Sequence, residues 1–199
     1  MLRIVWRYIT ILLVALLQGL AFAHVLEMPA KMQYEGALYL ELQRTLYVQW
    51  GAPNFGGWLE PSAIIATLIL AYALRRNRLD RLLTIGASVA LMLAFAVVFF
   101  WLVAPSNEAF LATPRGTIPP NWMALRRSWE TGHAIRFLLQ FVALGLLVAS
   151  ALAHRKSGDA TAFSITDFSF SRRRADSHQT EPVRTAPPSS SSASSNPTT

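Results

Sequence analysis

Four stretches of the chain run without a charged residue: Ile9 to Ala23, Pro61 to Leu74, Leu82 to Ala104 and Phe137 to Ala153. With their flanks they reach about the 20 residues that a helix needs to cross hydrocarbon. The pattern therefore predicts four spans, at approximately 5–27, 58–75, 82–104 and 133–154. The second is the weakest, because Glu60 and Arg75 bracket it closely and it must use Trp58, Leu59 or snorkelling ends to cross. Between the first two spans, Met32 to Val48 sets Leu38, Leu42 and Leu46 among Tyr34, Tyr39, Tyr47, Glu35, Glu41, Gln43 and Arg44 at helical spacing. An amphipathic helix at the outer membrane surface or over the bundle mouth is expected there. Gly51 to Gly57 reads as a loop, and Pro29, Pro61 and Pro105 punctuate span ends.

Three spans carry small residues at four-residue spacing: Ala15, Gly19 and Ala23; Gly86, Ala90 and Ala94; Gly145, Ala149 and Ala153. Such rows let helices approach closely in lipid. The predicted fold class is all-α, an integral membrane four-helix bundle with an outer amphipathic helix. From Ser157 the composition turns to Ser, Thr, Pro and Arg. Such a segment buries too little apolar surface to offset its ordering entropy. The expected organisation is a four-span domain over 1–156 and a disordered cytoplasmic tail over 157–199.

Charge sets the orientation. Arg3 and Arg7 precede the first span, Arg75, Arg76, Arg78 and Arg81 crowd the loop between spans two and three, and Arg155 and Lys156 follow the fourth. The positive-inside rule places both termini and that loop in the cytoplasm, in what is expected to be a bacterial inner membrane. The net charge of +7 thus needs no nucleic acid to explain it, since the basic residues lie where topology and anionic lipid would put them. The absence of cysteine excludes disulfides, thiol catalysis and thiolate metal sites. Ala21-Phe22-Ala23 before His24 has the form of a signal-peptidase site, but the apolar stretch from Ile4 to Leu26 exceeds the ~7 to 15 residues of a signal core. The first span is expected to be retained.

Candidate chemistry concentrates in Asn121 to Arg136. Trp122, Arg126, Trp129, His133, Arg136 and Gln140 recur at alternating spacings of four and three, so on one helix they share a face. Such a face is costly in a bilayer unless it meets partners within the protein. Arg136, a turn inside the apolar run, needs a carboxylate, a carbonyl or a bound anionic or phenolic ligand. The predicted topology brings His24 and Glu27, Asn107 and Glu108, and Glu130 and His133 to one depth at the outer end. His24, Glu27, Glu130 and His133 form two imidazole–carboxylate pairs at three-residue spacing, a set that supports at most one metal ion. Arg126 and Arg127 offer Glu130 an ordinary helical ion pair instead, and Trp122 and Trp129 also suit an interfacial aromatic belt.

At these residues the sequence resembles the anthrone-oxygenase-like family of small four-span membrane proteins. The resemblance rests on His24 and Pro29 ending the first span, Asn107 after Pro105 ending the third, and Trp122, Leu125, Arg126 or Arg127, Trp129, His133 and Arg136 leading into the fourth. It covers about Ile9 to Ala153 and leaves out the tail. It implies oxidation of an anthrone-like, lipophilic phenolic or quinonoid compound drawn from the bilayer, with no tightly bound organic cofactor required. His133 or His24 would serve as general base, Arg136 would stabilise a phenolate, Trp122 and Trp129 would stack on a flat ring, and Asn107 would contact the ligand. A non-enzymatic membrane protein, for binding, transport or as an accessory subunit, with or without a metal, is the competing expectation. A closed pocket would favour the enzyme and a continuous polar path would favour transport.

Overall fold

The computed structural model describes residues 1–51 and 53–178, with side chains as far as Ala153. The chain divides into two units, Met1–Lys156 and Ser157–Thr199. In the first, α1 (Leu2–Lys31) is followed by α2 (Gly36–Thr45), a short 3₁₀ turn (Tyr47–Gln49), α3 (Phe55–Ala73) and α4 (Arg78–Met92). A π-helical stretch (Leu93–Val103) then leads into α5 (Ala104–Ala112), and α6 (Trp122–His178) begins after a loop. The helical backbone of α6 continues past Ser157, where the composition predicts disorder, as far as His178. The remainder of that predicted tail, 179–199, lies outside the described residues.

Four helical segments are long and apolar enough to cross a membrane: Leu2–Lys31, Phe55–Ala73, Arg78–Ala112 and Trp122–Ala153. A helix covers each predicted span, and the first, third and fourth helices run well beyond the predicted ends. The proline positions explain part of this. Pro29 lies in the last turn of α1, while Pro61 lies inside α3, past its first turn. Pro105 sits in the first turn of α5 and does not end the third span. It cannot donate to the carbonyl four residues earlier. The helix ahead of it is wound in the wider π form, and the hydroxyls of Ser106 and Ser128 both donate to the Leu102 carbonyl, at 3.1 and 3.0 Å.

Helix α1 packs along α3, and α3 along α4. Helix α6 meets α4 at Gly86, where a methyl group would lie 3.2 Å from Leu146. Of the three small-residue rows, that of Gly86, Ala90 and Ala94 is an internal contact. The other two point outward: Ala15, Gly19, Gly145 and Ala149 are exposed, and no neighbour stands within 4 Å of a methyl group at Gly19 or Gly145. Spacing tells which residues share a face, and only packing tells where that face points.

Two polar layers flank an apolar one. Towards the α3–α4 loop, Arg7 donates to Asp80 at 3.1 Å and to the Ser150 carbonyl at 3.0 Å. Arg7, read from sequence as a topology signal, is thus also a buried structural cation. The middle is closed by Val14, Leu17, Ala63, Leu91, Ala143 and Leu147. Beyond it lies the polar, aromatic end covered by α2.

That cover turns one face of α2 inward. The buried face of α2 is Gly36, Tyr39, Leu40 and Gln43, followed by Tyr47 in the 3₁₀ turn, whereas Leu38 and Leu46 are exposed. Tyr39 donates to Glu130 at 3.1 Å, Tyr47 donates to Glu27 at 2.6 Å, and Arg44 donates to the carbonyls of Phe110 and Thr113 at the end of α5. Tyrosines can bury an apolar ring and spend the hydroxyl on a carboxylate, which the leucines of the other face cannot. The helix therefore turns its tyrosines inward over the bundle mouth.

Candidate functional site

The Trp122-to-Gln140 stripe faces the protein. Arg126, Trp129, His133 and Gln140 are buried and Trp122 and Arg136 partly so, while Arg127, off the stripe, is exposed. Opposite it, α1 presents His24 and Lys31, both buried. The His24 and His133 rings lie 4.0 Å apart between centroids, inclined at 35°. Two residues 109 positions apart are thus in direct contact.

These imidazoles, Asn107 and Arg136 line one cavity of about 490 Å³ under α2. Its walls are largely aromatic, from Tyr47, Trp50, Trp58, Phe95, Phe99, Phe110 and Trp129, and its floor is Leu17, Leu20, Ala21 and Gln140. A volume of a few hundred Å³ with apolar walls and a few polar groups is typical of small-molecule sites. Nδ1 of His24 is buried and has no hydrogen-bond partner among the described residues. Arg136 Nη1 lies 3.4 Å from His133 Nδ1. A guanidinium only donates, so His133 Nδ1 accepts there and carries its proton on Nε2.

The partner that Arg136 required is Glu60. Its Oε2 accepts from Arg136 Nη2 at 2.5 Å, and its Oε1 accepts from Gln140 Nε2 at 3.0 Å. The sequence places Glu60 at the edge of the weakest span, as a charge to be kept out of the bilayer. It lies inside the bundle, 4% exposed. Glu130 likewise takes a different partner from the expected helical one. Lys31 Nζ lies 3.1 Å from Glu130 Oε2, close but poorly aligned for a hydrogen bond, and 3.8 Å from Glu27. The Lys31 ammonium also stands over the rings of Tyr47 and Trp129, at 4.9 and 4.6 Å. Arg126 instead donates to the carbonyls of Lys31, the last residue of α1, and Tyr34 beyond it, where a cation satisfies orphan helix carbonyls. Burial and the adjoining carboxylates, Glu130 for Tyr39 and Glu27 for Tyr47, raise both phenols above their ordinary values, so both remain hydroxyl donors.

Two of the three expected ligand-contacting residues stand at the cavity. Asn107 Oδ1 accepts from the Trp129 indole N–H at 2.7 Å, so these two fix each other. Trp129 is 2% exposed and packs against His24, His133 and Tyr47, leaving only part of its ring for a ligand. Trp122 does not line the cavity. Its ring lies under the Arg126 guanidinium at 4.6 Å and against Gly36, where a methyl group would come within 3.0 Å of it. It seats the start of α2 on α6, a packing role set by its place one turn above the cavity wall. The metal set of His24, Glu27, Glu130 and His133 splits into an imidazole pair and two carboxylates turned to Lys31. Among the described residues, no three His, Asp or Glu side chains are grouped to hold a metal ion.

Comparison with protein-family models, with curated proteins and with solved structures found no match for the chain.

Proposed function

We propose that the chain is an integral protein of a bacterial inner membrane, with its amino terminus and α3–α4 loop cytoplasmic, that binds a lipophilic phenolic or quinonoid compound in the outer-end cavity and oxidises it with dioxygen. The observation that carries the reading is the His24–His133 contact on an aromatic wall, with one imidazole nitrogen unspent. The apolar layer under the cavity favours a pocket over a path through the bundle. The sequence resemblance to anthrone oxygenases points to the same substrate class.

In this reading the ligand lies against Phe95, Phe99 and Trp50, and His24 Nδ1 takes a proton from its activated methylene carbon. The electron pair left on that carbon reduces dioxygen as the new C–O bond forms. His24 gives that proton to the resulting peroxide anion, then takes the second carbon-bound hydrogen of the hydroperoxide as a proton while the O–O bond breaks to give hydroxide, leaving a carbonyl, and returns this proton to the hydroxide as water. The sum is CH₂ + O₂ → C=O + H₂O. Asn107 and Trp129 hold the wall, and Arg136 acts through its pair with Glu60 rather than as a free cation.

Membranes carrying the chain are expected to oxidise an anthrone faster than empty membranes, read as oxygen uptake and quinone absorbance. His24→Ala should lower that rate by roughly 10²- to 10⁴-fold if proton abstraction is limiting, and Arg127→Ala should leave it unchanged. A wild-type rate equal to that of empty membranes across several such substrates would sink the enzyme. A binding role without chemistry would then stand, which the prior neutralisation of Arg136 by Glu60 favours.

A further inference from the structure

Where Arg136 and Gln140 line the cavity, a hydrogen-bond donor and an acceptor have no partner among the described residues. Glu60 ties together Arg136 and Gln140, one helical turn apart on α6, through its two carboxylate oxygens. Arg136 Nε and Gln140 Oε1 are left buried and without a partner among the described residues. Gln140 is buried and is one of the residues that line the cavity. Buried polar atoms of native proteins are almost always satisfied, and a hydroxyl group, which both donates and accepts, can serve a donor and an acceptor together. The charge balance of the wall narrows the ligand further. Apart from the imidazoles, the ionisable lining consists of Glu60 and Arg136, together with the Tyr47 hydroxyl, which is spent on Glu27. The two opposite charges are paired, so an ionised ligand would bring an uncompensated charge into an apolar cavity.

We infer that this wall is a subsite for a hydroxyl on an uncharged aromatic ligand, the hydroxyl donating to Gln140 Oε1 and accepting from Arg136 Nε, with Gln140 as the residue that selects for it. The inference rests on the cavity being a ligand site and does not require the oxidation. The probes are 2-naphthol, naphthalene and 2-naphthalenesulfonate, measured by equilibrium dialysis against purified full-length protein in detergent, with protein-free micelles as blank. Wild type should bind 2-naphthol about 10- to 100-fold more tightly than naphthalene, and the sulfonate at least about tenfold more weakly than 2-naphthol. Gln140→Leu should bring 2-naphthol to within about threefold of naphthalene while naphthalene binding persists. Equal wild-type affinity for 2-naphthol and naphthalene would overturn the subsite and leave the cavity as a ligand site. Sulfonate binding as tight as that of 2-naphthol would overturn the uncharged class. Binding of none of the three would overturn the cavity reading itself. If Gln140→Leu does not fold, the three-probe comparison on wild type decides alone.

Discussion

Replacing Glu60 by Met should destabilise the bundle far more than loss of a surface charge would. The substitution keeps roughly the side-chain length but strands the Arg136 guanidinium, whose side chain is 12% exposed, and removes the acceptor of Gln140. Removing one partner of a buried ion pair costs about 3–5 kcal/mol, because the remaining charge stays desolvated and unpaired. That corresponds to a shift of roughly 10²- to 10⁴-fold in the folding equilibrium. Arg136→Met should cost a similar amount. The double variant should recover most of the loss, since a buried pair exchanged for apolar side chains of similar volume is often neutral. Unfolding by sodium dodecyl sulfate in mixed micelles, followed by tryptophan fluorescence, gives the four corners of the cycle. A Glu60→Met cost below about 1 kcal/mol, the range of an exposed pair, or a double variant as damaged as the sum of the singles, would refute the buried pair.

Single cysteines at Asn54, Arg76 and Arg115, placed in a chain that has none, should be labelled from outside at the first and third only; external labelling of position 76 would invert the proposed topology. Cysteines replacing His24 and His133 should be joined by a short bifunctional thiol reagent in native membranes, because the two rings lie 4.0 Å apart, and no linkage under conditions that label both would separate the helices that build the cavity. Gly56→Ala should cost about 1–3 kcal/mol in the same micelle assay, since the methyl would meet the Trp50 carbonyl oxygen at 2.1 Å. Gly19→Ala, with no neighbour within 4 Å, should be neutral or gain up to about 1 kcal/mol.

The sequence foretold which residues would share a face more readily than where each face would point. The stripe from Trp122 to Gln140 was legible because one apolar span does not tolerate Arg, His and Gln on its lipid side. The same reasoning brought His24 and Asn107 to its depth, and Trp129, His133, Arg136 and Gln140 of the stripe line the cavity while Trp122 and Arg126 do not. Glu60 and Lys31 were hidden by position. Each sits at a span edge, where a charge already has a sufficient reason to be, so nothing in the sequence asks for a partner across the bundle. The inward turn of Tyr39 and Tyr47 was hidden for a related reason, since a leucine face and a tyrosine face are both apolar by composition and differ only in what their tips can bond. Two of the small-residue rows faced outward because helical spacing carries no information about the neighbour. Gln140 was legible as a member of the stripe, and its unspent carbonyl oxygen became visible only once Glu60 was in place.

The central claim, that the cavity beneath α2 is a site for one lipophilic aromatic molecule, is tested most directly by native mass spectrometry of the protein taken gently from its membrane and then offered 2-naphthol. Ala21→Trp, which places an indole at a floor position of the cavity, provides the comparison. Wild type is expected to carry or take up one ligand per chain and Ala21→Trp none, with both variants equally monodisperse. Uptake by Ala21→Trp equal to that of wild type, or no bound molecule on wild type before or after the offer, would contradict it.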